Sequence, residues 1–390
     1  MKFCFWGDIG DAIRGTTIGG GELQMALLAR SLASEGHEVV VIDPYIDEPF
    51  VTAEGISVLN VPGWNKGWPV LRMFCYRIPS LYKLFVKQKA DFYYVRMRSF
   101  LNILAYAAAR KVKARFLLAL ASDIDLLGFR DKYRYQYKDN FTIRRYLTQW
   151  LPGDLAFRYL LKRADYIIRQ HEGQKIIDGS VRGKVILFPN IVDLKNIPSN
   201  GENKGEHYIY VGSLTMMKGA DKLYELANSI DKSKKITVVG QPNDDKAVDI
   251  FEKLSKLPST DLKGRVNHFD TLWQMTKAKA LINTSHFEGF PNVFLEAWAI
   301  GIPVLSLKVN PGNVISKYGL GICFDGDLER MKEFIASGNK PAADKERMRS
   351  YVINHHDFST AGKRFVNALT KLKIFLFNIS ETAYENLFLG

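Results

Sequence analysis

The stretch SHFEGFPNVFLEAWAIGIPVLSL, residues 285–307, decides how the chain is read. From Asn292 to Ile300 its apolar residues do not keep to one side. Val293, Phe294, Leu295, Ala297, Trp298 and Ile300 surround the whole circumference at helical spacing, the pattern of a helix buried on every face. Gly301 ends that helix, IPVLSL begins a buried strand, and KALINTS ahead of the stretch reads as another. Two carboxylates interrupt this apolar frame: Glu296 inside the helix, and Glu288 in the loop before it, next to Gly289. An ionised carboxylate buried without partners is costly, so Glu296 requires hydrogen-bond donors from the protein or from ligand hydroxyls. Asn292 lies one turn earlier on the same face. Pro291 marks the helix start, where free N–H groups and the macrodipole attract phosphate. Glu288 falls at the carboxyl end of a strand, where open α/β sheets bind ligands. On these residues alone two readings stand level. One is a ligand-gripping pair; the other is a solvated Glu288 with Glu296 paired to a buried Lys or Arg.

Outward from this stretch, the same strand, loop, helix, strand pattern occurs twice. In the first half KFCFW is followed by the glycine loop GTTIGGG, the helix ELQMALLARSLASEG and the strand HEVVVID. FLLALAS at 116–122, ADYIIRQ at 164–170 and KVILFPN at 184–190 read as further strands. The polar segment PSNGENKGEH, rich in chain-breaking residues, reads as a linker. In the second half HYIYVGS, KKITVVG, RVNHFD, KALINTS and IPVLSL read as strands, alternating with KGADKLYELANSI, AVDIFEKLSKL and NVFLEAWAIG as helices. The expectation is an α/β chain of two Rossmann-like β/α/β domains facing a central cleft. The first spans 1–197, a linker 198–207, and the second 208–360; residues 361–390 would form a helix returning to the first domain, and a tail.

Composition agrees with this and narrows the setting. A chain of 390 residues, 47% hydrophobic and 24% charged, is ample for two packed domains and unlike a disordered one. Cys4, Cys75 and Cys323 are far apart, with neither a disulfide framework nor metal-ligand spacing, which suits a reducing compartment. The opening MKFCFWGD reaches Gly7 and Asp8 too soon for a signal peptide. No run approaches the ~18 apolar residues of a membrane span. A cytoplasmic protein, peripheral on the inner membrane face, is expected.

The net charge of +13 is unevenly spread. Residues 64–115 hold 12 Lys/Arg against one Asp, and residues 129–163 hold 9 against 3 acidic side chains, whereas residues 1–63 hold 3 against 9. WNKGWPVLRMFCYRIPSLYKLFVKQK interleaves basic, aromatic and aliphatic residues, with Leu81, Leu84 and Phe85 on one helical side and Lys83 and Lys87 on another. Such elements suit an anionic membrane surface. The alternative of equal standing is a solvated helix face whose apolar side belongs to the core. No motif that reads RNA or DNA accompanies the charge, so nucleic acid is not an expected partner.

The run E-G-F-P-N-V-F-L-E resembles the E-x7-E signature of retaining family 4 glycosyltransferases of the GT-B fold. The resemblance extends through GGGE with its helix and GHEVVVID, then ADYII, FPNIVD, YVGSLTMMKG, VVGQP and AIGIPVLSL. It implies transfer of a sugar from a UDP- or GDP-sugar to a glycan or lipid-linked acceptor in cell-surface polysaccharide biosynthesis. Glu288 would hold hydroxyls of the donor sugar and, with Lys218, form the reacting centre, Lys218 neutralising the departing diphosphate. Glu296 would hold the ribose, and the backbone of Gly289, Phe290, Pro291, Asn292 and Val293 would cradle the donor. Gly212, Ser213 and Gly240 would line the nucleotide, with Gly19, Gly20 and Gly21 across the cleft. By residues alone Lys218 also reads as a solvated helix-start lysine, and the glycines as ordinary turns. No metal or separate cofactor is implied: Asp123 and Asp125 form a D-x-D, but Asp123 reads as a turn residue or an acceptor-side contact. Two positions depart from the family pattern. Ser213 stands where many relatives carry Arg, and the first-domain strand near residue 120 offers Asp123 where relatives often place His. A sugar-nucleotide-binding protein without turnover and a retaining glycan phosphorylase are the alternatives.

Overall fold

A computed structural model describes the chain except residues 17–18, 69–70, 134–140, 177–180, 199–204, 206, 340 and 371–390. Most of the expected linker and tail therefore lie outside the described residues. The first half builds β1 (Lys2–Trp6), β2 (Glu38–Ile42), β3 (Phe50–Val51), β4 (Ser57–Leu59), β5 (Phe92–Val95), β6 (Arg115–Ala119), β7 (Tyr166–Arg169) and β8 (Lys184–Leu187). They form one sheet in the order β3-β4-β2-β1-β5-β6-β7-β8. Every pair is parallel except β3 with β4. Parallel sheets are covered on both faces, so their strands are near-continuous apolar runs. Phe3, Phe5, Val39, Val41 and Leu117 face the helix Gly20–Ser34. Cys4, Trp6, Val40, Phe116 and Leu118 face the helices Ile78–Gln88 and Leu151–Leu161.

The second half repeats the arrangement with β9 (His207–Val211), β10 (Ile236–Val239), β11 (Thr260–Gly264), β12 (Ala278–Asn283), β13 (Val304–Ser306) and β14 (Gly321–Cys323). Their order is β11-β10-β9-β12-β13-β14. The helix Asn292–Ile300 is buried from Phe294 to Ile300, and Trp298, wholly enclosed, donates its indole N–H to the Leu320 carbonyl at 2.9 Å. Gly301, at φ 92°, stops it in the left-handed conformation that glycine adopts without penalty.

Three readings of the sequence need correction. RVNHFD is not a strand. The edge strand β11 lies before it, in the polar run TDLKG, and Asn267 caps the helix His268–Thr276 by accepting the Asp270 N–H at 2.8 Å. Central strand β5 went unread because FYYV sits within the basic and aromatic stretch 64–115. Leu81 and Phe85 are not an interfacial face either: both are completely buried and Leu84 is packed against them, so that helix side belongs to the core. The exposed apolar side chains lie just upstream, at Trp68 (81% exposed), Leu71 (60%) and Phe74 (70%). Ile143 and Leu147 in the second basic stretch are exposed as well. No described helix is long and apolar enough to cross a membrane.

The chain ends by crossing back. The helix Lys345–His356 buries Met348, Tyr351 and Val352 in the second domain. Asp357 then bridges to Val192, and a helix over 358–370 sets Phe365 against Phe3, Tyr94 and Phe188 in the first core. The first domain is completed by residues that follow the second.

Candidate active site at the interdomain cleft

The carboxyl ends of β9, β10 and β12 bring three loops together. A Cβ on Gly240, whose φ is 148°, would stand 1.9 Å from the Gly212 carbonyl oxygen, so only glycine lets these two loops touch. Lys218 follows in the turn after β9. Its N–H donates to Thr215 Oγ1 at 3.1 Å, and its carbonyl accepts from Thr284 Oγ1 at 3.1 Å. With the backbone held at both ends, its ammonium stands 3.5 Å from Glu288 Oε1. Glu288 also accepts from Ser285 Oγ at 3.0 Å. The carbonyl of Ser213 accepts from the Tyr210 hydroxyl at 3.4 Å. Burial first, and the Glu288 charge second, push the Tyr210 phenol up and keep it protonated.

Glu296 is 7% exposed, and its partner is neither Lys nor Arg. Its Oε1 lies 2.8 Å from Nε2 of the half-exposed His268. The hydrogen bond to Glu296 raises the imidazole above its ordinary value, against the opposing effect of burial. Sequence reasoning missed His268 because NHFD was taken as strand; the Asn267 cap, which places His268 at the first helical position, was the available signal.

The loop Gly289–Val293 is a narrower cradle than the sequence suggests. Phe290 gives its N–H to Gln170 Oε1 at 2.5 Å, and Pro291 has none to give. The Asn292 side chain accepts from Gln24 at 3.1 Å and Asn190 at 3.0 Å and donates to the Gly20 carbonyl at 3.1 Å. It closes the seam between the domains and borders a small cavity of about 140 Å³ that Glu296 and His268 also line. Asn292 and Val293, the first two residues of the helix, carry the helix-start N–H groups of this run, and Gly289 lies in the loop ahead of them. A Cβ on Gly289 would meet Gln170 Oε1 at 2.1 Å, and one on Gly20 would meet Asn292 Nδ2 at 3.1 Å, so both glycines serve close approach of the two domains. Gly19 caps the helix Gly20–Ser34 in extended backbone, and Gly21 sits against Met97.

Across the cleft, the D-x-D splits into separate networks. Asp125, buried, accepts the N–H groups of Ala121 and Ser122 at 2.7 and 3.1 Å and pairs with Arg98 at 3.0 Å. Asp123 turns the other way, with His171 Nε2 at 2.9 Å and Gln174 Nε2 at 3.0 Å, while its N–H reaches the Glu288 carbonyl at 3.3 Å. An imidazole thus stands beside Asp123, carried by His171 just past the end of β7. His171 directly follows the recognised ADYIIRQ, and chain position alone gave no sign that it would meet Asp123. Asp123, His171, Glu288 and Gly289 line a cavity of about 620 Å³ between the domains.

Residues 193–352 match the family described as glycosyl transferases group 1. An uncharacterized glycosyltransferase of Methanocaldococcus jannaschii is 26% identical over 216 residues, which is 55% of this chain and 57% of that protein. The match thus spans little more than half of that relative's own length. Sucrose-phosphate synthase from Thermosynechococcus elongatus shares the fold with a TM-score of 0.73 at 13% identity, over 96% of this chain and 99% of that one. Anabaena HepE, solved in complex with UDP and glucose, gives a TM-score of 0.67 at 14% identity, over 95% of this chain and 100% of that one. The protein has the GT-B fold, and most of its second domain, residues 193–352, matches the family of glycosyl transferases group 1.

Proposed function

We propose that the protein is a retaining glycosyltransferase that moves a sugar from a UDP- or GDP-sugar to a glycan or lipid-linked acceptor of cell-surface polysaccharide synthesis. The observation that carries this reading is the Lys218–Glu288 pair, 3.5 Å apart at the carboxyl ends of the second sheet, with the buried Glu296 in the helix that follows. Donor hydroxyls compete for Glu288, and the diphosphate competes for Lys218 and the helix-start N–H groups. As the anomeric C–O bond breaks, negative charge grows on the leaving phosphate, and a preorganised ammonium stabilises it. The acceptor oxygen bonds to the anomeric carbon on the same face, and its proton passes to the departing phosphate oxygen. The charge is carried by Lys218 and backbone donors, so the reading assigns no metal or separate cofactor.

UDP is the first base to try, since HepE was solved with it. Support for a membrane-held acceptor comes from Trp68, Leu71 and Phe74, exposed near Lys66 and Arg72 in the chain, which suits peripheral attachment on the cytoplasmic face. Ser213, in place of the Arg of many relatives, favours one other reading: nucleotide-sugar binding without turnover.

Incubation with a panel of UDP- and GDP-sugars, reading free nucleotide, separates the two. The enzyme reading expects release from at least one donor, with Lys218→Ala lowering kcat by about 10²- to 10³-fold. Binding of a donor with no release from any would favour the binding-only protein.

A further inference from the structure

A second cavity, of about 640 Å³, opens from the first domain toward the same centre. Its inner end is lined by Met217, the residue before Lys218, and by Ala121 and Ser122, just ahead of Asp123. Its outer end is an aromatic corner. Trp64 stands at 82° to Tyr45 and 63° to Trp6, with ring centroids 6.3 and 6.2 Å apart, and Trp150 joins the lining. Trp6 and Trp64 are buried, with Arg77 stacked on Trp64 at 4.4 Å, so the exposed Tyr45 and the half-buried Trp150 are the rings open to the C–H face of a pyranose.

The charge of the lining is the reverse of the domain's. Among the described residues, Arg98 is the one Lys or Arg that lines it. Arg98 is spoken for by Asp125 at 3.0 Å and Asp154 at 2.7 Å. Asp8 and Glu22 face the space beside it. Partial burial first, and the neighbouring carboxylates of Asp43, Glu22 and Asp11 after it, push the Asp8 carboxyl upward. The loop that carries Asp8 is fixed by Asp43. This fully buried carboxylate accepts the N–H groups of Ile9, Gly10 and Tyr45 at 2.9, 2.6 and 2.8 Å, tying the acidic wall and the aromatic corner into one unit.

The geometry points to this cavity as an acceptor subsite for a neutral or amino-bearing saccharide end, with Asp8 and Glu22 excluding uronates and other acidic sugars. The inference rests on the glycosyl-transfer reading and narrows its acceptor. Hydroxyls and ammonium groups donate to the two carboxylates, whereas an acidic substituent meets like charge in a partly enclosed space, a juxtaposition that costs several kcal/mol at interfaces. Anion attraction then belongs to the basic exterior and not to the sugar pocket.

The full-length protein is titrated with the phenyl glycosides of glucose, glucosamine and glucuronic acid, reading tryptophan fluorescence from the Trp6, Trp64 and Trp150 corner. The glucoside and glucosaminide should bind at least about tenfold more tightly than the glucuronide. Asp8→Asn and Glu22→Gln, made singly and together, should shrink that gap, the double variant to within about threefold. Equal or tighter binding of the glucuronide to the wild type, selectivity that survives the double substitution, or binding of none of the three would overturn the inference. UDP titration of the same samples keeps the two failures apart: UDP binding that is lost in Lys218→Ala leaves the donor reading standing while the acceptor assignment falls.

Discussion

His268 and Glu296 share one hydrogen bond, and under the proposed function that bond ties nucleotide binding to pH. The carboxylate raises the imidazole, so His268 stays protonated above the ordinary histidine value of about 6.5. The sign follows directly. Stability from the pair is complete below the ordinary value and is lost as pH rises through the raised one. A protonated His268 also competes with ribose hydroxyls for Glu296. UDP affinity should therefore increase as pH is raised through the His268 titration, and His268→Asn should flatten the profile; parallel profiles for the two proteins would show that the pair does not gate the ribose site. Glu296 was legible in the sequence as a carboxylate needing a partner, since one acid in a helix apolar on all sides demands an explanation. Its partner was not legible. His268 comes from a neighbouring element whose start is signalled by a side-chain cap, and caps are weak signals beside an apolar run.

At the scale of elements, the apolar runs of parallel strands made most of the two sheets readable, because burial on both faces leaves little room for polar residues. The elements that escaped are those where this rule relaxes. Edge strand β11 is polar and half-exposed, β3, β4 and β14 are only two or three residues long, and β5 is masked by neighbouring basic residues. The same masking misplaced the surface of the helix Ile78–Gln88. Its Leu81 and Phe85 fill the core, and the solvent-facing apolar group is Trp68, Leu71 and Phe74. Nor is all of the basic charge nearby free for a membrane: Arg96 bonds Asn190 within the protein, and Arg110 and Arg115 share Asp165. Arg77 is held as well, its Nε donating to the Trp64 carbonyl at 2.8 Å; Lys66, Arg72, Lys83 and Lys87 are among those that remain, each contributing roughly 1 kcal/mol beside an anionic surface. Vesicles with anionic lipid should recruit the protein in flotation, and replacing Trp68, Leu71 and Phe74 together by Ser should weaken recruitment by about tenfold or more. Unchanged recruitment of the triple variant would remove this element from the account.

Across the whole molecule, the two domains meet through few but specific contacts. Asn292 joins Gly20, Gln24 and Asn190, Gln170 holds the Phe290 N–H, and His356 Nδ1 donates to the Asn190 carbonyl at 2.7 Å. Several residues assigned to the donor by sequence thus serve this seam. The reason is geometric: a loop at the edge of one domain in a two-domain cleft has two neighbours, ligand and partner domain, and sequence spacing does not tell them apart. The Asn292 side chain and the Phe290 N–H are bonded to the first domain, while the proposed function leaves Lys218, Glu288 and Glu296 to hold the nucleotide sugar. Isothermal titration of UDP into the wild type, Lys218→Ala and Glu296→Gln tests that division most directly. Each substitution should weaken binding by about 10- to 100-fold, the loss of a charge-assisted hydrogen bond worth roughly 1.5–3 kcal/mol. UDP affinity unchanged in both variants would contradict the account.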